Sequence, residues 1–348
     1  MTAATTSANR MRPILRPVPW RRMAWVTWRQ HRSLLAGAAI TFGAVAIYLT
    51  VAGLQIHTAY TAVEACRPIA SSACRQVLGN FFGAYQPGVG ITEGVLQLLP
   101  ALIGAFAGAP ILAREFETGT FRFAWTQGIG RTRWVTAKLV PLAVILTGIA
   151  VLVSLLFSWY YQPLIEAGDN NGQLFPTVFD LSGMALGGWT LFAFALGVFA
   201  GAIIRKVVPA MFVTLAAWAG LAALAGTVLR AHYIAPLVSK SLTEPHPAWV
   251  LSQNWIINGQ PATLDAINRT LAAIDARADS FQIFSPGPST PPNVDPFKYL
   301  TQHGYTLLTT YQPDSRFWAF QWIEGGWLLG LSILLLGATV WIVHRRAS

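Results

Sequence analysis

The sequence has few charged residues, and this scarcity argues against a soluble protein. Only 11% of the 348 residues are Asp, Glu, Lys or Arg, against about 25% in an ordinary soluble domain. Hydrophobic residues make up 54% of the chain, and the mean hydropathy is +0.47. A soluble protein of this size needs more polar side chains to cover its surface. The composition therefore predicts a membrane protein.

Several catalytic and metal-binding motifs are also missing. The chain has no G-x-x-x-x-G-K-[ST] phosphate-binding loop, no H-E-x-x-H, no G-x-S-x-G and no C-x-x-C. Its six histidines are scattered, and its two cysteines, Cys66 and Cys74, form no metal-ligand pattern. We therefore expect no catalytic residue, no resident metal and no cofactor in this chain.

Six charge-free apolar stretches are long enough to cross a bilayer, since about 20 helical residues cover the ~30 Å hydrocarbon core. Apolarity on all sides favours helices, because backbone groups in lipid must find partners within their own segment. We expect a kink in the second stretch at Pro100 and Pro110. Ionisable residues are absent from all six, which argues against a proton-coupled transporter or an intramembrane enzyme. The predicted spans are Leu34–Ile56, Gly94–Ala113, Leu139–Ile165, Leu181–Ile204, Val207–Leu229 and Gly325–Val343.

The charge distribution predicts the orientation of these spans. One side collects 16 of the 24 Lys and Arg residues and only two acids, in the segments 1–33, 114–138, 205–206 and 344–348. Cytoplasmic loops carry an excess of Lys and Arg, so we expect a multi-pass protein of the cell membrane with both termini in the cytoplasm. The net charge of +10 then reflects topology. Because the basic residues are scattered, nucleic acid is not an expected partner.

The sequence before the first span consists of two segments of different composition. Residues 1–20 are polar and contain three prolines, which predicts a disordered cytoplasmic tail. Residues 20–33 are typical of a short helix in the membrane interface, where Trp lies at the headgroups and Arg binds lipid phosphates. A plain positively charged flank is the alternative. The residues of this candidate elbow are Arg21, Arg22, Trp25, Trp28, Arg29 and Arg32.

We divide the rest of the chain into a membrane domain (21–229), an extracytoplasmic loop domain (230–323) and a last span with its tail (324–348). Cys66 and Cys74 fall in another predicted outer loop, where a disulfide is feasible. Within the loop domain, residues 262–281 show the period of an amphipathic helix and 285–296 are typical of an extended linker. Residues 311–327 are predicted to begin as a helix outside the membrane, with Pro313 and Asp314 in its first turn.

Four G-x-x-x-G pairs indicate close helix packing. Two of them involve the fourth span, which predicts a tightly packed helix there. The spacing alone does not distinguish contact within the chain from contact between two chains. The pairs are Gly104/Gly108, Gly183/Gly187, Gly197/Gly201 and Gly326/Gly330.

One predicted cytoplasmic loop, 113–140, combines acids, aromatic residues and basic residues. Exposed aromatic rings in a loop favour coverage by a partner or by the membrane, whereas a simple interfacial connection is the alternative. The order E-x-E-x-G-T (115–120), R-x-R (131–133) and a lysine opening the next span resembles the permease subunits of type-2 ATP-binding-cassette (ABC) exporters. The segments WVTWRQHR (25–32), REFETGTFRFAWTQGIGRTRW (114–134) and RFWAFQWIE (316–324) are similar to a subgroup common in actinobacteria.

The resemblance implies an all-α polytopic fold with six transmembrane helices, an elbow helix, a cytoplasmic coupling helix and a large outer loop between spans five and six. It also implies that two permease chains pair, as a homodimer or a heterodimer, each on a separate ABC ATPase subunit that binds ATP and Mg. The loop after span two would then seat in the ATPase and transmit its motion. The coupling residues it implies are Glu115, Glu117, Gly119, Thr120, Phe121, Phe123, Trp125, Arg131 and Arg133.

The leading functional prediction is the membrane subunit of an ABC exporter in the lipid bilayer. Its cargo would be amphipathic, lipid-like or drug-like, because the spans offer aromatic side chains and no charges. A non-transporting sensor or scaffold that binds through the outer loop is the alternative. An enzyme with acids in that loop is a third reading, although a solvated helix face explains the aspartates better. Those acids are Glu244, Asp265, Asp275 and Asp279.

Overall fold

The computed structural model describes residues 20–67, 71–119, 131–168, 172–241, 247–275 and 296–346. It is mostly helical, and six of its helices are long and apolar enough to cross a membrane. All six overlap the predicted stretches, which supports a multi-pass membrane protein. We number them as spans one to six: Ala39–Glu64, Ser72–Thr118, Thr132–Ala167, Ala185–Ile204, Val207–His232 and Asp314–Arg345.

The α-helices are α1 Trp20–Glu64, α2 Ser72–Gln97, α3 Leu99–Leu102, α4 Ala109–Thr118, α5 Arg131–Ala167, α6 Pro176–Leu181, α7 Ala185–Ile204, α8 Val207–Leu224, α9 Leu264–Asp275, α10 Pro296–Gln302 and α11 Phe317–Arg346. Short π-helical segments cover Ile103–Gly108 and Ala225–Leu229, and 3₁₀ turns cover Arg230–His232 and Asp314–Arg316.

The first helix runs without a break through the candidate elbow and into span one. Residues 20–33 are helical, as predicted, but they continue α1 rather than form a separate helix. A distinct elbow is therefore not confirmed. The predicted tail at 1–20 lies outside what the structure describes, except for Trp20, which begins α1. The side chains of the candidate elbow residues lie outside it as well.

Span two is irregular where its prolines predicted a kink. The helix begins at Ser72, well before Gly94, and changes to a π-helical segment at Ile103–Gly108. Proline lacks the N–H that an α-helix needs, so Pro100 and Pro110 leave carbonyls one turn earlier without their usual donors. A local π-helical register is a known response to such a gap.

Span four lies at the centre of the membrane domain. It packs against spans two, three, five and six, and 67% of its apolar window is buried, against 11% for span five. Two of its glycines, Gly197 and Gly201, pack against span two within the same chain. A Cβ at Gly104 would come within 2.6 Å of the Ala193 carbonyl oxygen, and one at Gly108 within 2.7 Å of the Phe194 carbonyl oxygen.

The remaining glycine pairs have different environments. At Gly183 and Gly187, a Cβ would meet the side chains of Gln321 on span six and Val151 on span three, each at 2.9 Å. On span four, Cβ atoms at Gly197 and Gly201 would collide with the backbone of span two, at Gly104 and Ala109. The pairs Gly104/Gly108 and Gly197/Gly201 therefore contact each other within the chain. By contrast, Cβ atoms at Gly326 and Gly330 would meet no atom within 4 Å in the described part of the chain.

The loop between spans five and six contains a β-sheet, which departs from the all-α prediction. Its four strands are β1 Leu237–Ser239, β2 Ala248–Ile257, β3 Gln260–Pro261 and β4 Tyr305–Pro313, all antiparallel in the order β1-β4-β2-β3. Asn258 and Gly259 have φ values of 51° and 77° and form the tight turn between β2 and β3. We call the end of the spans that carries this sheet the sheet side.

Other elements of the loop agree with the sequence in part. The predicted amphipathic helix is present as α9, which packs on the sheet through Leu271. The predicted helix at 311–327 begins only at Asp314, because Tyr311 to Pro313 complete strand β4. The linker at 285–296 lies outside the described residues except for Pro296, which begins α10.

Hydrogen bonds join the sheet and the start of span six to segments that flank the membrane helices. Gln312 is fully buried and donates from Nε2 to the Ile234 carbonyl oxygen at 2.6 Å. The Asp314 carboxylate accepts a hydrogen bond from the Gln173 backbone N–H at 2.7 Å. Elsewhere on the sheet side, Cys66 and Cys74 form a disulfide, with their Cα atoms 5.4 Å apart. This pairing ties the end of span one to the start of span two.

Candidate functional site

The base of the loop between spans two and three is held by an ion pair. Glu115, near the end of α4, pairs with Lys138 on α5. Lys138 is buried, and its ammonium group lies 4.7 Å from the centre of the Trp134 ring. A charge-assisted contact of this kind, with a cation–π contact beside it, fixes the ends of the loop relative to each other.

A second contact joins the same loop base to span five. The Glu117 carboxylate accepts a hydrogen bond from the Val207 backbone N–H at 3.2 Å. Val207 is the first residue of α8, and a carboxylate stabilises the positive end of a helix. Beside it, the Arg205 guanidinium lies 5.6 Å from the centre of the Phe116 ring. Thus the residues just before the loop contact both span three and the start of span five.

The predicted coupling residues fall partly within the described chain. Gly119 ends α4 with φ +70°, a left-handed conformation that glycine adopts without strain. Arg133 is exposed on the first turn of α5, and Arg131 begins that helix. Thr120, Phe121, Phe123 and Trp125 lie outside the described residues, as does any helix that they form.

A buried cluster of charges lies on the sheet side and was not predicted. Arg230 at the end of span five bonds Glu324 of span six through Nη2 at 2.7 Å and Nε at 3.0 Å. The same Nη2 donates to Asp180 of α6 at 2.5 Å. Arg230 and Glu324 are fully buried. We call Asp180, Arg230 and Glu324 the Arg230 cluster; it links the ends of spans five and six to the segment before span four.

Neighbouring groups satisfy the cluster's remaining hydrogen bonds. Glu324 also accepts from the Trp189 indole at 2.9 Å and from the Tyr233 hydroxyl at 3.1 Å. Burial raises the pKa of the Tyr233 hydroxyl, so it stays protonated and acts as a donor. Burial also raises the pKa of the Asp180 carboxyl to about 6, since desolvation and nearby Glu324 outweigh the attraction of Arg230.

A cavity of about 310 Å³ adjoins the Arg230 cluster. Spans two, four and five form its wall. Asp180 also lines it, and the Asp180 side chain is 27% exposed. The Trp189 and Trp218 rings line it as well, with centroids 6.0 Å apart and planes at 75°. The Nε1 atom of Trp218 is buried and has no acceptor among the described residues. We call this space the sheet-side cavity.

The sequence did contain a signal for these residues. Arg230 directly follows the predicted stretch ending at Leu229, whereas Asp180 and Glu324 directly precede the stretches beginning at Leu181 and Gly325. The six stretches indeed contain no ionisable residue, but the helices extend beyond them and bury charges at their ends. The absence of Asp, Glu, Lys, Arg and His is therefore a property of the six stretches and not of the whole helices.

Comparison with known proteins matches most of the membrane domain to one family. Residues 39–230 match the family described as ABC-2 membrane transporter related. No curated protein and no solved structure matches the chain. The matched segment contains spans one to five up to Arg230, including both ends of the loop after span two; Glu324 and the sheet lie beyond it.

Proposed function

We propose that this chain, which belongs to the ABC-2 membrane transporter related family, is the membrane subunit of an ATP-driven exporter. Permeases of this family are typically not catalytic themselves and normally work with an ATPase subunit. ATP and Mg would bind in that separate partner. The chain lies in the cell membrane with both termini in the cytoplasm. It pairs with a second permease chain.

The observation that carries this proposal is the pair of contacts at the base of the loop after span two. Glu115 pairs with Lys138 of span three, and Glu117 bonds the first backbone N–H of span five at Val207. A displacement of the loop therefore reaches two further spans through short polar contacts. In the proposal, an ATPase groove holds Phe121, Phe123 and Trp125, while Arg131 and Arg133 flank them.

The cargo is amphipathic, lipid-like or drug-like. Large apolar side chains are exposed on several spans, among them Ile40, Phe212 and Leu334, and these surfaces face lipid or a second permease chain.

The N-terminal segment of α1, with its tryptophans and arginines, is proposed to lie at the headgroups as an elbow.

The test is co-purification of the ATPase in mild detergent. We expect an ATP-hydrolysing subunit to bind the wild-type chain, and the double substitution Phe123→Asp with Trp125→Asp to abolish its recovery. The reason is that two carboxylates placed in an apolar contact lose hydration without gaining a partner. The matched control is Phe297→Asp, because Phe297 is an exposed aromatic residue in the sheet-side loop.

Two outcomes would contradict the proposal. The docking role fails if ATPase recovery is unchanged in the double variant. The transport role fails if no ATPase binds the wild-type chain. The second outcome, combined with ligand binding to the sheet-side loop, would favour a sensor or scaffold; the folded sheet between spans five and six is the feature that supports this alternative.

A further inference from the structure

The sheet-side cavity contains binding chemistry that the proposed coupling does not use. Its volume of about 310 Å³ is at the lower end of the range for small-molecule sites, about 300–1,000 Å³. Most of its wall is apolar, with small residues such as Ala219 and Ala222 contributed by span five. The shape therefore suits a compact apolar body that also carries a polar group near Asp180.

The charge of the wall determines which polar group fits. The Arg230 cluster contains two carboxylates and one guanidinium, so with both carboxylates ionised one negative charge remains uncompensated within it. Arg230 is fully buried and already bonds both carboxylates, which leaves Asp180 as the member of the cluster that lines the cavity. An uncompensated charge with little water is costly. A single positive charge beside Asp180 would offset it.

The aromatic side chains favour the same ligand. Trp189 and Trp218 line the cavity, and the face of an indole ring attracts cations. The Trp189 N–H is bonded to Glu324, whereas the Trp218 N–H is buried without an acceptor among the described residues.

Other ligand charges fit less well. An anion would lie against Asp180 while Arg230 is closed off behind both carboxylates. A dication would exceed the single negative charge of the cluster. A neutral apolar compound fills the space but leaves that charge uncompensated. The wall therefore discriminates by charge as well as by shape.

We propose that the sheet-side cavity binds amphipathic monocations, with the cationic group at Asp180 and a ring-sized apolar body beside Trp189 and Trp218. The identification of such compounds as cargo rests on the proposed transport function, whereas the binding itself does not. This assigns Asp180 as the residue that selects for positive charge.

Equilibrium binding to the full chain in zwitterionic lipid nanodiscs tests the proposal. The probes are benzyltrimethylammonium, its uncharged carbon isostere neopentylbenzene and the anion benzenesulfonate. We expect saturable binding of the cation, weaker binding of the isostere and no binding of the anion. Asp180→Asn should weaken binding of the cation about ten-fold, a change of about 1.4 kcal/mol, and change binding of the isostere less than two-fold.

Two further variants locate the site. Glu166→Gln removes an exposed carboxylate that does not line the cavity, so it should leave cation binding unchanged. Ala222→Leu fills the cavity from span five while keeping all charges, so it should abolish binding of both the cation and the isostere. If Asp180→Asn fails to fold, Ala222→Leu and the comparison of the three probes on the wild-type chain still decide the question.

Several results would overturn the inference: no saturable cation binding to the wild type, equal binding of cation and anion, or full cation binding by Ala222→Leu. The outcome is separate from that of the ATPase experiment. Cation binding without an ATPase partner would support this site and refute the transport proposal. An ATPase partner without cation binding would support the transport proposal and refute this site.

Discussion

Arg230 is a buried charged side chain whose partners come from distant parts of the chain. It is fully buried at the end of span five, and its guanidinium lies 4.3 Å from the Phe179 ring centre. Its bonds to Asp180 and Glu324 cross from span five to two other parts of the chain. Arginine suits this position because its planar fork can bond two carboxylates at once and it keeps its charge when buried.

Removing this charge should be strongly destabilising. Arg230→Met leaves the fully buried Glu324 without its cation, and breaking a buried ion pair costs about 3–5 kcal/mol. We expect a large drop in the midpoint of thermal unfolding in detergent, measured by tryptophan fluorescence. Adding Asp180→Asn and Glu324→Gln should recover part of the loss, because neither carboxylate is then charged. The control is Arg133→Met at an exposed arginine; equal losses in both single variants would contradict the argument.

At this scale, the sequence pattern located residues at the loop base but did not establish what they do. The family resemblance pointed to Glu115, Glu117 and Gly119, and the structure places them at one junction; their role in coupling stays a prediction. Arg230 and Glu324 were missed because they lie 94 positions apart in the chain, and only tertiary packing brings them together. Their positions directly beside apolar stretches are a usable signal, since Glu93 and Lys138 are also buried beside such stretches.

Among the elements, the crossing of spans two and four brings two helix backbones into direct contact. It rests on Gly104 and Gly108 of span two with Gly197 and Gly201 of span four. Small residues let the backbones touch, which replaces the hydrophobic driving force that is absent in lipid. The glycine spacing predicted close packing, but it did not predict the partner, because any other small-residue face has the same complementarity.

A methyl group at this crossing should separate the two helices. Gly197→Ala places a Cβ against the backbone of Gly104 and Ala109, where nothing flexible can move aside. Overpacking of this kind costs about 1–3 kcal/mol, so the thermal midpoint in detergent should fall. Gly326→Ala is the matched control, because its Cβ meets no atom within 4 Å in the described residues. A similar midpoint for both variants would refute the assigned crossing.

The sheet was the largest element that sequence reasoning missed. Its strands β2 and β4 pair across nearly 50 intervening residues, part of which read as an amphipathic helix and a linker. Asn258-Gly259 is a strong hairpin signal, yet strand β3 beyond it has only two residues. Strand pairing between distant segments is not encoded in local periodicity, whereas the spans were recognisable because each is apolar over its own length.

For the whole molecule, orientation is the property that connects the two sites. The Arg230 cluster and the disulfide lie on the sheet side, and the contacts of Glu115 and Glu117 lie on the opposite side. The excess of Lys and Arg predicts that the opposite side faces the cytoplasm. Disulfides persist in oxidising compartments, so the Cys66–Cys74 pair agrees with a sheet side that faces outward.

Cysteine labelling in spheroplasts tests this orientation. A membrane-impermeant maleimide should label Asn254→Cys on strand β2 and leave Thr132→Cys on α5 unlabelled until the membrane is permeabilised. Both positions are exposed, so burial does not explain a difference, and the native cysteines are paired. Labelling of Thr132→Cys alone in intact spheroplasts would reverse the topology and remove the proposed cytoplasmic docking of an ATPase.

Span five has anchors at both of its ends and little support between them. Glu117 holds its first backbone N–H, Arg230 secures its far end, and only 11% of its apolar window is buried. The distance along the helix from Val207 to Arg230 is about 35 Å. In the proposed exporter, a displacement of the Val207 end along the helix axis would move the Arg230 end as well. The axial position of span five would then set the shape of the cavity wall beside Asp180.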